Sequence, residues 1–265
     1  MGETPTQASG MMKNLLVQFA FLLLLPGLSG CGGTKVLKEP EPLLVTQSLS
    51  TASNQTLSAT LDWVIFRDGP GTWAKNVDWD EYLIRVQNLS GDSLQVTNIT
   101  VMDSLGTQVE PGQNRKQLVK GTKQTKRRYK GEGLQVKAGV SAGTLLAAGA
   151  VTAATAMSVG AAAVYGSSAV LAGATVGLIL VPVLAVGGVF RGVNNSKVNN
   201  QIEARQTLMP VVLQKEEEKG LHIFFPLLPS PQQIEITYID SQGDHTLIVE
   251  TQDVLEGLHL VQAEE

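Results

Sequence analysis

The sequence predicts a mainly β protein with an α insert, a β-sandwich that is discontinuous along the chain because an apolar helical hairpin interrupts it. Short runs near residues 60–100, and again near 222–250, alternate apolar with polar side chains, the period of two that half-buried strands require. The segments between those runs carry Gly, Pro, Asn and Asp, the residues of tight turns. Residues 138–190 differ from both flanks: they hold no Asp, Glu, Lys or Arg and consist mostly of Ala, Gly, Val, Leu, Ser and Thr.

Taken in order, the chain opens with an export signal. Lys13 follows Met11 and Met12, an apolar run extends from Leu15 to Leu25 with only Gln18 inside it, and Pro26-Gly27 ends any helix there. A positive start, an apolar core of about ten residues and small residues beyond it fit a secretory signal, whereas a membrane span needs roughly 20. Residues 1–10 are polar and add nothing to this signal, so Met11 or Met12 is an alternative start. Residues 1–30 are read as the signal peptide.

Leu28-Ser29-Gly30-Cys31, placed after such a core, resembles the lipobox of bacterial lipoproteins. The resemblance covers residues 11–32. It implies cleavage before Cys31, a diacylglyceryl group on the thiol and acylation of the new amino terminus. Gly32 stands where the family's inner-membrane retention signal typically has Asp, which implies delivery to the outer membrane of the cell envelope. Cys31 is the only cysteine in 265 residues, so its lipidation leaves no thiol for a disulfide, a metal or nucleophilic catalysis.

Residues 31–56 are expected to be a lipid-anchored tether. Lys38-Glu39-Pro40-Glu41-Pro42 disfavours helix and central strand, and the Ser/Thr/Asn/Gln-rich run after it offers little to bury. An edge strand at residues 43–49 is the alternative. The first half of the sandwich spans 57–112. Leu61, Trp63 and Ile65 form one alternating set and Tyr82, Ile84 and Val86 another, with Asp68-Gly69-Pro70-Gly71 as a turn between them. Leu94 and Val96 shift phase relative to Ile99 and Val101 around Asn98, which indicates a bulge or two short strands. Ser104-Leu105-Gly106 reads as the next turn.

Residues 113–137 are expected to be a basic linker. Arg115, Lys116, Lys120, Lys123, Lys126, Arg127, Arg128 and Lys130 follow one another with no acid among them, in a chain whose formal charge is −4, so the remainder carries −12. Beside an apolar insert, such a run suits anionic lipid head groups, each cation contributing about 1 kcal/mol near the surface. A solvated flexible linker is the alternative, and export away from the cytoplasm argues against nucleic acid.

The insert, residues 138–190, has the length of two helices of about 22–25 residues joined near Tyr165-Gly166-Ser167-Ser168, each long enough to cross a bilayer. Small residues recur at every fourth position. Gly139 and Gly143 begin one row, Ala150, Ala154, Ser158 and Ala162 form a second, and Gly173 and Gly177 belong to a third. That spacing lets helix backbones approach closely, and the segment resembles the glycine-zipper regions of bacterial envelope proteins. The resemblance implies transmembrane helix packing or assembly into a homo-oligomer or an envelope protein complex.

A polar connector, 191–220, carries a helix-like stretch up to Met209-Pro210 and a charged turn at Lys215–Lys219. The second half of the sandwich, 221–265, holds His222-Ile223-Phe224-Phe225, a bend from Pro226 to Pro231, and a hairpin over 233–250. Neither half has enough strands to stand alone, and the economical reading is one immunoglobulin-like sandwich split by the insert.

No enzyme signature emerges. His222, His245 and His259 lack ligand-like spacing, Asp244-His245 reads as turn chemistry, and Asp78, Asp80 and Glu81 read as the polar start of a strand around Trp79 rather than as a cation site. The Asn-x-Ser/Thr triplets at Asn54, Asn88, Asn98 and Asn194 have no glycan to accept in a bacterial lipoprotein. No cofactor and no metal are expected. The expected function is non-enzymatic, structural or interaction-based at a membrane, with an oligomeric pore or transport component as the rival reading. Cys31→Ser should abolish incorporation of radioactive palmitate and block cleavage at Gly30–Cys31. Absence of lipid label from the wild-type chain would refute the lipobox.

Overall fold

Nine-residue strands are rarely buried on both faces unless something covers the second face, and that covering organises this structure. A computed structural model describes residues 33–38, 40, 43–45, 47–139, 178–179 and 191–261. In chain order the strands begin with β1 (Lys35–Val36), β2 (Leu43–Leu44), β3 (Ser50–Ser53), β4 (Leu57–Ile65), β5 (Ala74–Lys75), β6 (Trp79–Asn88), β7 (Leu94–Met102) and β8 (Gln108–Val109). Helix α1 (Arg115–Gly131), β9 (Gln135–Val136), β10 (Leu178–Ile179) and α2 (Arg191–Arg205) follow. The chain continues through β11 (Val211–Leu213), β12 (Glu218–Pro226), β13 (Gln233–Asp240), β14 (Gly243–Glu250), α3 (Gln252–Leu255) and β15 (Leu260–Val261).

Two sheets dominate. One has the order β12-β6-β4-β3; the other has β11-β7-β13-β14, with β8 also paired to β7. Both mix strands from the two sides of the insert. β12 pairs antiparallel with β6 from Glu218↔Gln87 to Pro226↔Trp79, and β13 pairs with β7 from Gln233↔Met102 to Ile239↔Gln95. The phase shift read around Asn98 is a bulge within a single strand: Thr237 faces Asn98 while Tyr238 faces Val96, so Thr97 is the extra residue. The hairpin over 233–250 and the turn at 104–106 are present.

The sheets share one core, which includes Leu61, Ile84 and Val86 from the first and Val96, Ile99, Ile234 and Ile236 from the second. The outer face of the four-stranded sheet carries a second core, where Trp79 and Phe224 meet Leu118 of α1 and Val198 and Ile202 of α2. This corrects the half-buried reading of β4 and β6. Val64 and Leu83 are buried with Leu61 and Ile84, and even Asp62 is 1% exposed.

Several other expectations change. The expected tether joins the body from Lys35 onward: β1 pairs with β5, β3 is the edge strand beside β4, and Leu43, Val45 and Leu49 enter the main core. Three apolar side chains in a polar stretch were enough to dock it. The expected basic linker is a helix. Asn114 caps it by accepting from the N–H of Gln117, and Leu118, Thr122, Thr125 and Tyr129 form its buried face. Two of those four residues are threonines, so apolar periodicity was weak. The connector holds α2 and β11, and Glu218 and Lys219 belong to β12 rather than to a solvated turn.

Of the insert, Ala138, Gly139, Leu178 and Ile179 are described. Leu178–Ile179, expected in the second helix, pairs as a strand with Leu43–Leu44. Gly139, expected to pack helices, sits in a turn at φ +78°, where a Cβ would come within 2.9 Å of the Arg67 carbonyl oxygen. Gly143, Ala150, Ala154, Ser158, Ala162, Gly173 and Gly177 lie outside the described residues, as do Leu28, Ser29, Gly30 and Cys31. Among the described residues no helix is long and apolar enough to cross a membrane.

Gly121 marks a close approach of α1 to the sheet, since a Cβ there would collide with Pro226 Cγ. Ala would gain up to about 1 kcal/mol in helix propensity, but overpacking costs about 1–3 kcal/mol, so Gly121→Ala should destabilise. Gly131→Ala, with nothing within 4 Å of its Cβ, should be neutral or stabilising. Urea midpoints of the two variants check the contrast.

Candidate functional site

Helix α1 has two unlike sides. At 100° per residue, its eight cations separate into two sets. Arg115, Lys126 and Arg128 turn toward the body. Arg115 donates its backbone N–H to Asn199 Oδ1 (3.2 Å) and its Nη2 to Thr34 Oγ1 (3.5 Å), Lys126 lies 3.6 Å from Asp78, and Arg128 pairs at 2.8 Å with Asp103, which is fully buried. Asp103 also accepts from the N–H groups of Leu105 and Thr107, so the Arg128 bond ties the helix to the β7–β8 turn. Tyr129 shares a hydrogen bond with Ser104 and donates to the Pro229 carbonyl, and Thr122 donates to the Asp78 carbonyl.

Lys116, Lys120, Lys123, Arg127 and Lys130 are all exposed. They fall within an arc of about 80° and along about 21 Å of helix. None has an ion pair among the described residues. Neighbouring cations three or four positions apart repel by about 0.2–0.5 kcal/mol each, and the stripe contains four such pairs. Folding therefore gains nothing from gathering these charges. Only the last turn, where Lys130 complements the helix dipole, has a local reason for one.

Beside the stripe lies a groove of about 730 Å³ between α1 and the β8 arm. Lys120, Gln117, Gln124 and Arg128 from the helix and Gln113 before it supply its polar wall, and Val109, Pro111 and Pro226 supply apolar surface. A second cavity, about 290 Å³, adjoins His222, Thr207 and Asn98.

The carboxylates around Trp79 do not form a pair. Period two sends Asp80 and Glu81 to opposite faces of β6. Glu81, 1% exposed, accepts from Trp73 Nε1 at 2.8 Å, and its other oxygen meets Arg205 and His222 at 2.6 Å each; Arg205 also lies over the Trp73 ring. Burial pushes the Glu81 carboxyl up, but the Arg205 guanidinium and His222 outweigh it and hold the group at about 2. Asp80 meets His259 Nε2 at 2.8 Å with both side chains sealed from solvent, and there burial wins and raises the Asp80 pKa against the partial offset of His259. The same burial, together with the Asp80 charge, raises Tyr82 well above its ordinary value.

Sequence adjacency misplaced one partner. His245 pairs with Asp240 at 3.0 Å across the hairpin, not with Asp244. Arg205 drew no attention in sequence because its partner is 124 residues away. Asn88 is also more than a turn residue: it is fully buried, and its side-chain N–H groups donate to the carbonyls of Asp92, Leu213 and Gln214. Among the described residues no cluster of three or more His, Cys, Asp or Glu could hold a metal. No family model, no curated protein and no solved structure matches the chain.

Because Glu81 has a folded pKa below its unfolded value, its contribution is present above about pH 4.5 and is lost as pH falls toward 2, on the order of 3 kcal/mol in all. Glu81→Gln should lower stability at pH 7 by about 3–5 kcal/mol, because Arg205 is left buried without its charge partner. The variant should also lose less stability than wild type between pH 4.5 and 2. Melting temperatures across that range test both parts.

Proposed function

We infer that the chain is a non-enzymatic cell-envelope lipoprotein, held by acyl chains on Cys31, that lays the open face of α1 against an anionic lipid surface. In this reading the two-sheet body is an immunoglobulin-like sandwich and the role is structural or interaction-based. The observation that carries the reading is the separation of charges on α1: Lys126 and Arg128 are neutralised by acids of the body, Arg115 turns to neutral partners there, and five cations remain aligned on the exposed side. The lipobox-like Leu28–Cys31 and the charge-free segment 138–190 support the same placement beside a membrane.

The two attachments differ in scale. Acyl burial contributes about 0.8 kcal/mol per CH₂, so two or three chains dominate affinity. Five cations add roughly 5 kcal/mol at an anionic surface. Lipid therefore holds the protein at the membrane, and the stripe decides which face of the body turns toward it.

Amine labelling of the acylated protein in lipid nanodiscs tests this orientation. Lys116, Lys120, Lys123 and Lys130 should be protected in phosphatidylglycerol discs and reactive in phosphatidylcholine discs, while exposed Lys75 and Lys215 label equally in both. Equal labelling of the α1 lysines in the two lipids would sink the proposal.

A further inference from the structure

The groove beside α1 is not explained by a flat charged surface. We propose that it binds the phosphorylated saccharide head group of a glycolipid, or the same sugar phosphate free in solution, once the stripe has brought the helix to its surface. The inference rests on the membrane reading above and deepens it.

The wall chemistry is that of a sugar site. Gln113, Gln117 and Gln124 line it with primary amides, which both donate and accept and so match the mixed demands of hydroxyl groups. Among the described residues the Gln124 and Gln113 side chains have no hydrogen-bond partner, and Gln117 spends only its Oε1, on the Gln113 N–H. The apolar surface of Val109, Pro111 and Pro226 suits the C–H face of a pyranose. Pro226 is reachable because position 121 is glycine: the helix passes close without a side chain in between.

The charge favours an anion at one end. Lys120 belongs both to the groove and to the exposed stripe, so a phosphate held by it sits at the junction of the two. Arg128 lines the same groove; its Nη2 is bound to Asp103 and Thr125, while its Nη1 is buried with no partner. Glu110 is the one acid in the lining, and its carboxylate already accepts from the Asn98 amide. The volume, about 730 Å³, falls in the range of small-ligand sites and accommodates one or two sugar rings.

Calorimetric titration of the full chain in neutral detergent micelles separates this proposal from the one beneath it. The probes are lipid A (a phosphorylated glucosamine disaccharide lipid), phosphatidylglycerol matched in charge, and glucosamine 6-phosphate. Lipid A should bind about tenfold more tightly than phosphatidylglycerol, a margin of one or two hydrogen bonds. Gln113→Ala with Gln124→Ala should erase that margin and leave phosphatidylglycerol binding unchanged; both residues are exposed, so the fold tolerates the change. Binding of glucosamine 6-phosphate would assign the site to a soluble ligand as well, and its absence would assign it to the lipid-borne head group. Equal affinity for the two lipids, or a margin that survives the double variant, overturns the groove proposal while the stripe stands. No binding of phosphatidylglycerol by wild-type protein overturns the stripe itself.

Discussion

The nine-residue ladder between β6 and β12 is the constraint on which the rest of this structure depends. It joins residues from the two sides of the insert, Gln87 to Glu218 at one end and Trp79 to Pro226 at the other. Closing a loop of that length costs about 4 kcal/mol beyond a constant, and the cost grows slowly with length. A long insert is therefore tolerated as long as the ladder is strong. β7 repeats the arrangement by accepting β13 along one edge and β11 along the other. Neither half of the chain has a complete sheet without the other.

Burial on both faces of the four-stranded sheet follows from the same ladder. β12 brings Leu221, Ile223 and Phe225 to the shared core and Phe224 to the opposite face. Phe224 and Trp79 would be exposed there without α1 and α2, so the helices on either side of the insert are drawn onto the sheet. The edge of β12 is also covered, since Thr207 donates its N–H to the His222 carbonyl and Gly112 to the Phe224 carbonyl, which removes a free edge that could pair with another chain. Once α1 is docked, its unburied side has to face outward. The docking that makes the fold thus also presents the five-cation stripe.

Buried carboxylates lie on both faces of β6, and neighbours in sequence take opposite roles. Glu81 is ionised by Arg205 and His222, whereas Asp80 one residue earlier is pushed toward its neutral form by burial beside His259. Separating such partners is strongly penalised, because it leaves a buried charge uncompensated. Arg205 ends α2 and Glu81 lies in β6, so this pair fixes where the helix after the insert comes to rest. Arg128 with Asp103 does the same for the helix before it.

The strands were legible from sequence wherever a period of two met a turn residue: β6 from Tyr82, Ile84 and Val86, the bulge from the phase shift around Asn98, and β13–β14 from the hairpin pattern. The eight-cation run was legible too, because charge is a local property. Its helical form was not, since Thr122 and Thr125 are buried against a sheet that only folding assembles. Nor was the docking of β1 and β3 and of Leu43, Val45 and Leu49, whose apolar side chains gain burial only from strands elsewhere in the chain. Local pattern determined the elements and the charge. Contacts between distant residues, Arg205 with Glu81 and Arg128 with Asp103, decided which cations are consumed by the body and which remain to meet a partner.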